Sequence, residues 1–231
     1  MLRANMQRKA WSALALVWVV AIAGAQSPKW HEGEQYFALQ PAQPTNVRSG
    51  DVEVTEVFSY ACPACNAFYP VFDRLREGLP SNVVINYVAA AFRPDEDWVV
   101  FQRAYYAARA LGIEKRTHDA MFDAIWKTGE LATMDPRTEQ LKNPMPSIED
   151  VARWYHQKTG VDTQKFIATA NSFSVNLQMR QANDYIMAAQ VDGTPSIIVN
   201  GKYRLSPTSA GGLDQTIQLV KYLVQQQSGS R

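Results

Sequence analysis

A chain of 231 residues with a formal charge of +1 presents no excess of basic residues, and nucleic acid is excluded as an expected partner. With 46% hydrophobic and 19% charged residues it buries the core of one large domain, or of a domain carrying an insertion. No internal repeat or low-complexity tract interrupts it.

Residues 1–25 read as a secretory signal peptide. Arg3, Arg8 and Lys9 give a positive start, Ala13 to Ala25 is apolar throughout, and Ala23-Gly24-Ala25 is a small-x-small cleavage signature. The apolar run is shorter than the roughly 20 residues a bilayer-spanning helix needs, which favours cleavage over the alternative of an uncleaved anchor. No second long apolar run follows, so the mature chain is expected to be soluble. Residues 26–50, with Pro28, Pro41 and Pro44, read as an extended lead-in in which Tyr36 to Leu39 adds a short edge strand. Val52 to Phe58 is β-branched and aromatic and reads as a strand. Alternation puts Val52, Val54, Glu56 and Phe58 on one face, where Glu56 is the one polar member.

A helix is expected to start at Pro63, since a proline loses nothing at the first helical position. Phe68, Phe72, Leu75 and Leu79 recur at helical spacing, and Gly78 and Pro80 end the run. Pro70 falls inside it. Val83 to Ala91 is apolar on both faces and is expected to be a central strand. From Asp95 the pattern becomes helical: runs capped by Asp97, Thr117, Ser147, Asp162 and Ser174, with a polar, proline-bearing loop at 135–146. Strands return at Ser196 to Val199 and Lys202 to Leu205, joined by the hairpin turn Asn200-Gly201. A final helix spans about Gly212 to Val224. Strand, helix, strand, helical block, hairpin, helix is the order of an α/β core with an α-helical insertion.

The only cysteines, Cys62 and Cys65, lie in FSYACPACNAFYP. A bond between them would close a very small loop and remove little entropy from the unfolded chain, which argues against a staple. Zinc needs four ligands, and His31, His118 and His156 are far apart in sequence. Asn66 follows Cys65 where a c-type haem would need histidine. No metal is therefore expected. A reactive pair has a physical basis. Cys62 falls at the N-cap of the helix begun by Pro63, where free backbone N–H groups and the helix dipole favour a thiolate, with a pKa of roughly 3.5–7.5 in such motifs. Cys65, about one turn deeper, would be the resolving thiol.

The stretch EVFSYACPACNAFYP, with VDGTPSIIVNGKY at 191–203, resembles the thioredoxin-fold thiol oxidoreductases, and within them the exported DsbA family. The resemblance covers essentially the whole mature chain. It implies a thioredoxin-like α/β domain at 51–94 and 190–231, with a helical domain inserted at 95–189. It implies a redox-active Cys62–Cys65 disulfide and no other cofactor. The Thr194-Pro195 bond would be cis and face the cysteines, with the Thr194 backbone docking an extended substrate. Glu56 would be a buried acid that relays the proton of Cys65. Relatives carry a lysine beside that acid, where Asn86 is expected to fall here. Between the cysteines stand Pro63 and Ala64, where the family typically has histidine in the second place. Ala64 offers no side-chain donor, so a weaker oxidant is expected, between about −270 mV for thioredoxin and about −120 mV for DsbA itself.

The resemblance thus implies a periplasmic oxidase that introduces disulfides into reduced, unfolded exported proteins and is reoxidised by a DsbB-like, quinone-linked inner-membrane partner. A reductase or isomerase of the same fold is the first alternative. A non-catalytic peptide-binding chaperone, its groove lined by Trp98, Trp126 and Trp154, is the second, although most of those aromatics are expected in the core.

Overall fold

The structure, a computed structural model, describes residues 30–135 and 137–228, and the leader read at 1–25 lies outside them. In chain order the elements are β1 (Phe37–Ala38), β2 (Val52–Phe58), α1 (Pro63–Glu77), β3 (Val83–Ala89), α2 (Trp98–Ala110), α3 (Glu114–Trp126), α4 (Ile148–Thr159), α5 (Thr163–Ala170), α6 (Phe173–Ala188), β4 (Ser196–Val199), β5 (Tyr203–Leu205), α7 (Pro207–Ala210) and α8 (Leu213–Ser228). The strands form one mixed sheet in the order β1-β5-β4-β2-β3. β2 and β3 are parallel, while β4, β5 and β1 each run antiparallel to their neighbour. This is a thioredoxin-like fold with the helices α2 to α6 inserted between β3 and β4. None of the described helices is long and apolar enough to cross a membrane.

Two apolar clusters hold the sheet. On one face Val52, Val54, Ile197 and Val199 pack against Phe68, Phe72 and Leu75 of α1 and Leu219 and Leu223 of α8. On the other, Val57, Val88 and Ile198 meet the helical block, in a cluster that Phe58, at the end of β2, also enters. Every residue of β2 is buried, so the strand is covered on both faces. Its polar members on the second face satisfy one another: Thr55 Oγ1 donates to Glu53 Oε1 at 2.9 Å, and Asn86 Nδ2 donates to Thr55 Oγ1 at 3.4 Å.

Several expectations are corrected. β3 is an edge strand, not a central one. Only Val88 and Ala89 at its end are buried; the rest of the strand is half-buried or exposed, with Val84 40% exposed, and its outer rim is unpaired. Thr117 caps nothing; it lies inside α3 and its hydroxyl donates back to the Ile113 carbonyl at 2.8 Å. Ser172, not Ser174, caps α6. Asp97 precedes α2 without a capping hydrogen bond, and its carboxylate accepts instead from Thr133 Oγ1 at 2.7 Å. The short helix α7 has no counterpart in the sequence pattern.

The lead-in is stitched to the hairpin. Leu39 N–H donates to the Lys202 carbonyl and Gln43 N–H to the Gly201 carbonyl, each at 2.7 Å. Gly201 has φ +65°, and a Cβ there would lie 2.0 Å from the Gln43 carbonyl oxygen. A side chain at this turn is therefore opposed by both backbone conformation and a backbone neighbour. The substitution Gly201→Ala should lower stability by about 2–3 kcal/mol, read as a fall in the urea midpoint with an unchanged m-value.

Candidate active site

The segment from Phe58 to Pro63 leaves the end of β2 and turns into α1, and it is pinned from above by α3. Tyr60 OH and His118 Nδ1 are 2.9 Å apart, and Trp126 Nε1 donates to the Tyr60 carbonyl at 2.8 Å. Phe58, Tyr60, Tyr105 and Phe122 pack around the His118 ring. Burial there, with Arg76 adding to it, lowers the imidazole pKa to about 3. His118 is thus a neutral hydrogen-bonding member of the core.

Cys62 is the N-cap residue of α1, in extended conformation (φ −88°, ψ 119°), with Pro63 opening the helix. Both cysteines are free thiols. Cys62 is 7% exposed, and its Sγ donates to the Thr194 carbonyl at 3.4 Å. Its pKa is lowered to about 6. The Cys65 thiol, donating to it, is the largest cause, and burial opposes the shift. The Thr194 hydroxyl and the N–H groups of Cys65 and Ala64 add to the lowering. The Thr194 hydroxyl is buried with no other hydrogen-bond partner, which leaves it available to the thiolate. Cys65 is fully buried, and burial followed by its bond to Cys62 holds its pKa well above the ordinary range. The two thiols are driven apart: one ionises readily and the other keeps its proton.

Thr194-Pro195 is cis, and Thr194 lies against Cys62. Pro63 and Ala64 are exposed between the cysteines. Glu56, 2% exposed, sits beneath Cys65, and burial raises its pKa to about 8. Asp73 raises it further, Arg76 opposes the shift, and Asp119 adds to it. Asn86 does not stand beside this acid, because β2–β3 register pairs Glu56 with Tyr87 and places Asn86 next to Thr55. The nearby cation is Arg76, supplied by α1 and ion-paired with Asp73 at 2.8 Å. Sequence reading missed Arg76, though a signal existed: it follows Cys65 by about three turns of α1, on the same face. Of the tryptophans, Trp98 and Trp154 are buried in the core, and Trp98 and Trp126 line the cleft over Cys62.

A cleft of about 550 Å³ opens over Cys62, between Thr194 and the exposed apolar side chains of Phe92, Met134 and Leu141. The last two come from the loop after α3, whose polar composition hid them. A second groove runs along the other side of Pro195, bordered by Ala64, Ala67 and Leu213. Among the described residues no cluster of three His, Cys, Asp or Glu side chains is placed to hold a metal ion. The arrangement suits chemistry at sulfur: an ionisable thiol at a cleft mouth, a protonated thiol behind it, and a protonated acid behind both.

Comparison with known proteins bears on this geometry. A protein-family model described as thioredoxin matches residues 48–218. The thiol:disulfide interchange protein DsbA of Pseudomonas aeruginosa is 36% identical over 203 residues, covering 88% of each chain. That of Azotobacter vinelandii is 34% identical over 200 residues, covering 86% of this chain and 85% of the relative. The crystal structure of the oxidoreductase DsbA from Xylella fastidiosa superposes with a TM-score of 0.74 at 30% identity, over 86% of this chain and 97% of the other. The chain therefore belongs to the DsbA family of thiol:disulfide oxidoreductases.

Proposed function

We propose that this protein is a periplasmic dithiol oxidase that introduces disulfide bonds into exported proteins through Cys62. The observation that carries the reading is the opposed ionisation of the two sulfurs at the start of α1. In the oxidised enzyme the sulfurs are bonded to each other. A client thiolate attacks Cys62 Sγ, the Cys62–Cys65 bond breaks, and Cys65 leaves and takes up a proton. A second client thiolate then attacks the client sulfur of this mixed disulfide and expels Cys62. The client loses two electrons and two protons, and the cysteine pair gains the electrons. A sulfur with a pKa near 6 is a good leaving group at pH 7, which drives the second step toward release. The same stabilisation of the reduced form favours oxidation of clients over their reduction, and so favours an oxidase over a reductase or isomerase.

Glu56 supplies the proton to Cys65. Its pKa of about 8 keeps it protonated at neutral pH, ready for the departing thiolate. The Thr194 backbone docks an extended client beside Cys62, and the apolar rim of the cleft accepts side chains exposed in an unfolded chain. No cofactor beyond the cysteine pair takes part. A quinone-linked inner-membrane protein of the DsbB kind returns the pair to the disulfide.

The direct test is oxidation of a reduced dithiol peptide by the purified, oxidised protein. Pairing of the peptide thiols at one equivalent per enzyme, abolished by Cys62→Ser, is expected; peptide left reduced by the parent protein overturns the reading. In the reduced protein, alkylation of Cys62 should follow a pH midpoint near 6, and Cys65→Ala should raise that midpoint by removing the largest source of stabilisation.

Glu56→Gln should slow formation of the mixed disulfide about tenfold at pH 7. Its stability signature has a definite sign. The folded pKa lies above the unfolded value, so the folded state holds the extra proton between about pH 4.3 and 8, and stability falls as pH rises through that window. The urea midpoint should fall less between pH 5 and pH 8 in Glu56→Gln than in the parent.

Ala64 places no side-chain donor beside the thiolate. Titration against glutathione should give a potential more reducing than about −120 mV, and Ala64→His should move it upward.

A further inference from the structure

The cleft over Cys62 has a charged side as well as an apolar one. Arg93 borders it just before α2, and its side chain is 64% exposed. Three contacts hold it there. Pro94 restricts the backbone at this point, and the Glu96 N–H donates to the Arg93 carbonyl at 3.2 Å, closing a turn. Glu96 Oε1 then accepts from Arg93 Nη1 at 2.8 Å. The carboxylate is itself fixed from behind, because its Oε2 accepts from Nε1 of the buried Trp98 at 3.1 Å.

The ion pair is unequal. The Glu96 side chain is only 16% exposed, and each of its oxygens is engaged. Arg93 reaches it through one nitrogen, and a guanidinium has further N–H donors in a planar fork that matches a second carboxylate. The charge also reaches the reacting sulfur: Glu96 raises the Arg93 pKa most, and Asp95 and the Cys62 thiolate add to the rise. Asp192, the carboxylate on the Thr194 side of the cleft, is ion-paired with Arg204 at 3.6 Å. We propose that Arg93 is a specificity-determining residue, binding an acidic side chain that flanks the reacting cysteine of an extended client.

The inference rests on the oxidase reading above. A client docked along the Thr194 backbone with its cysteine at Cys62 sends neighbouring side chains into the same cleft. Phe92, Met134 and Leu141 take the apolar ones, and Arg93 takes Asp or Glu. Arg93 stays solvated, so the discrimination is about two- to fivefold and falls as salt rises.

The test has two arms at low salt. In the first, the oxidised protein reacts with a pair of reduced dithiol peptides that differ only in carrying Glu or Lys beside the cysteines. The Glu:Lys ratio of rate constants should be about two- to fivefold higher in the parent than in Arg93→Gln, and lower again in Arg93→Glu. Comparing variants cancels the peptides' own thiol ionisation. Arg180→Gln removes the same charge from α6, which does not border the cleft, and should keep the parent ratio. In the second arm, the reduced protein is alkylated at pH 8, where Cys62 is ionised. The rate with anionic iodoacetate relative to neutral iodoacetamide should fall about two- to fivefold in Arg93→Gln. A peptide ratio that Arg93→Gln leaves unchanged, or that Arg180→Gln moves as far, overturns the proposal. Peptides left reduced by every variant overturn the oxidase reading and the client role of Arg93 with it, and the alkylation ratio then decides by itself whether Arg93 draws anions to Cys62.

Discussion

Everything the site does follows from holding one sulfur where a helix begins. The first backbone N–H groups of α1 have no partner within the helix, and Pro63 removes one of them at no cost. Cys62 is set before them by the extended turn out of β2, so the negative end of its ionisation meets donors already oriented. The surroundings then have one task, which is to keep that turn in place. Tyr60 is held twice by α3, through His118 and Trp126, and Thr194 closes the other side. The helical block is therefore a support for the reactive loop as well as a wall of its cleft.

Beneath the pair, the sheet buries ionisable groups that would be costly elsewhere. Glu56 lies on the apolar face of β2, and no cation stands directly beside it in the neighbouring strands, where Tyr87 and Ile197 are its partners. Its environment is balanced by charges on α1 and α3, of which two are acidic and one basic. An acid so placed keeps its proton, and this makes it chemically different from the surface carboxylates. His118 shows the converse: the same burial leaves a base without its proton. A single desolvated layer thus fixes two protonation states of opposite sense.

Much of this was legible in the sequence because it is local. The bounds of β2, the helix starting at Pro63, the Asn200-Gly201 turn and the Ser147 and Asp162 caps depend on neighbours a few residues away, and the structure places them where the patterns did. What escaped depends on residues far apart in the chain. β3 reads as central because valine, isoleucine and alanine fall on both of its faces, yet only Val88 and Ala89 are buried and the strand lies at the edge of the sheet. Arg76 near Glu56, Thr133 on Asp97, and the contribution of Met134 and Leu141 to the cleft arise from tertiary placement. The ionisation of Cys62 was legible in direction from the N-cap alone, but its largest cause, the thiol of Cys65, required the folded geometry.

The outermost strand has a consequence for how the molecule is made. Phe37 and Ala38 pair with Arg204 and Tyr203, so the residues synthesised near the beginning find their hydrogen-bonding partners near the end. Until the final hairpin has folded, that strand has no partner to pair with. Loop closure over so long a separation comes late in folding. The outermost strand is therefore a late addition to the sheet, locked only once the two ends of the described chain have met.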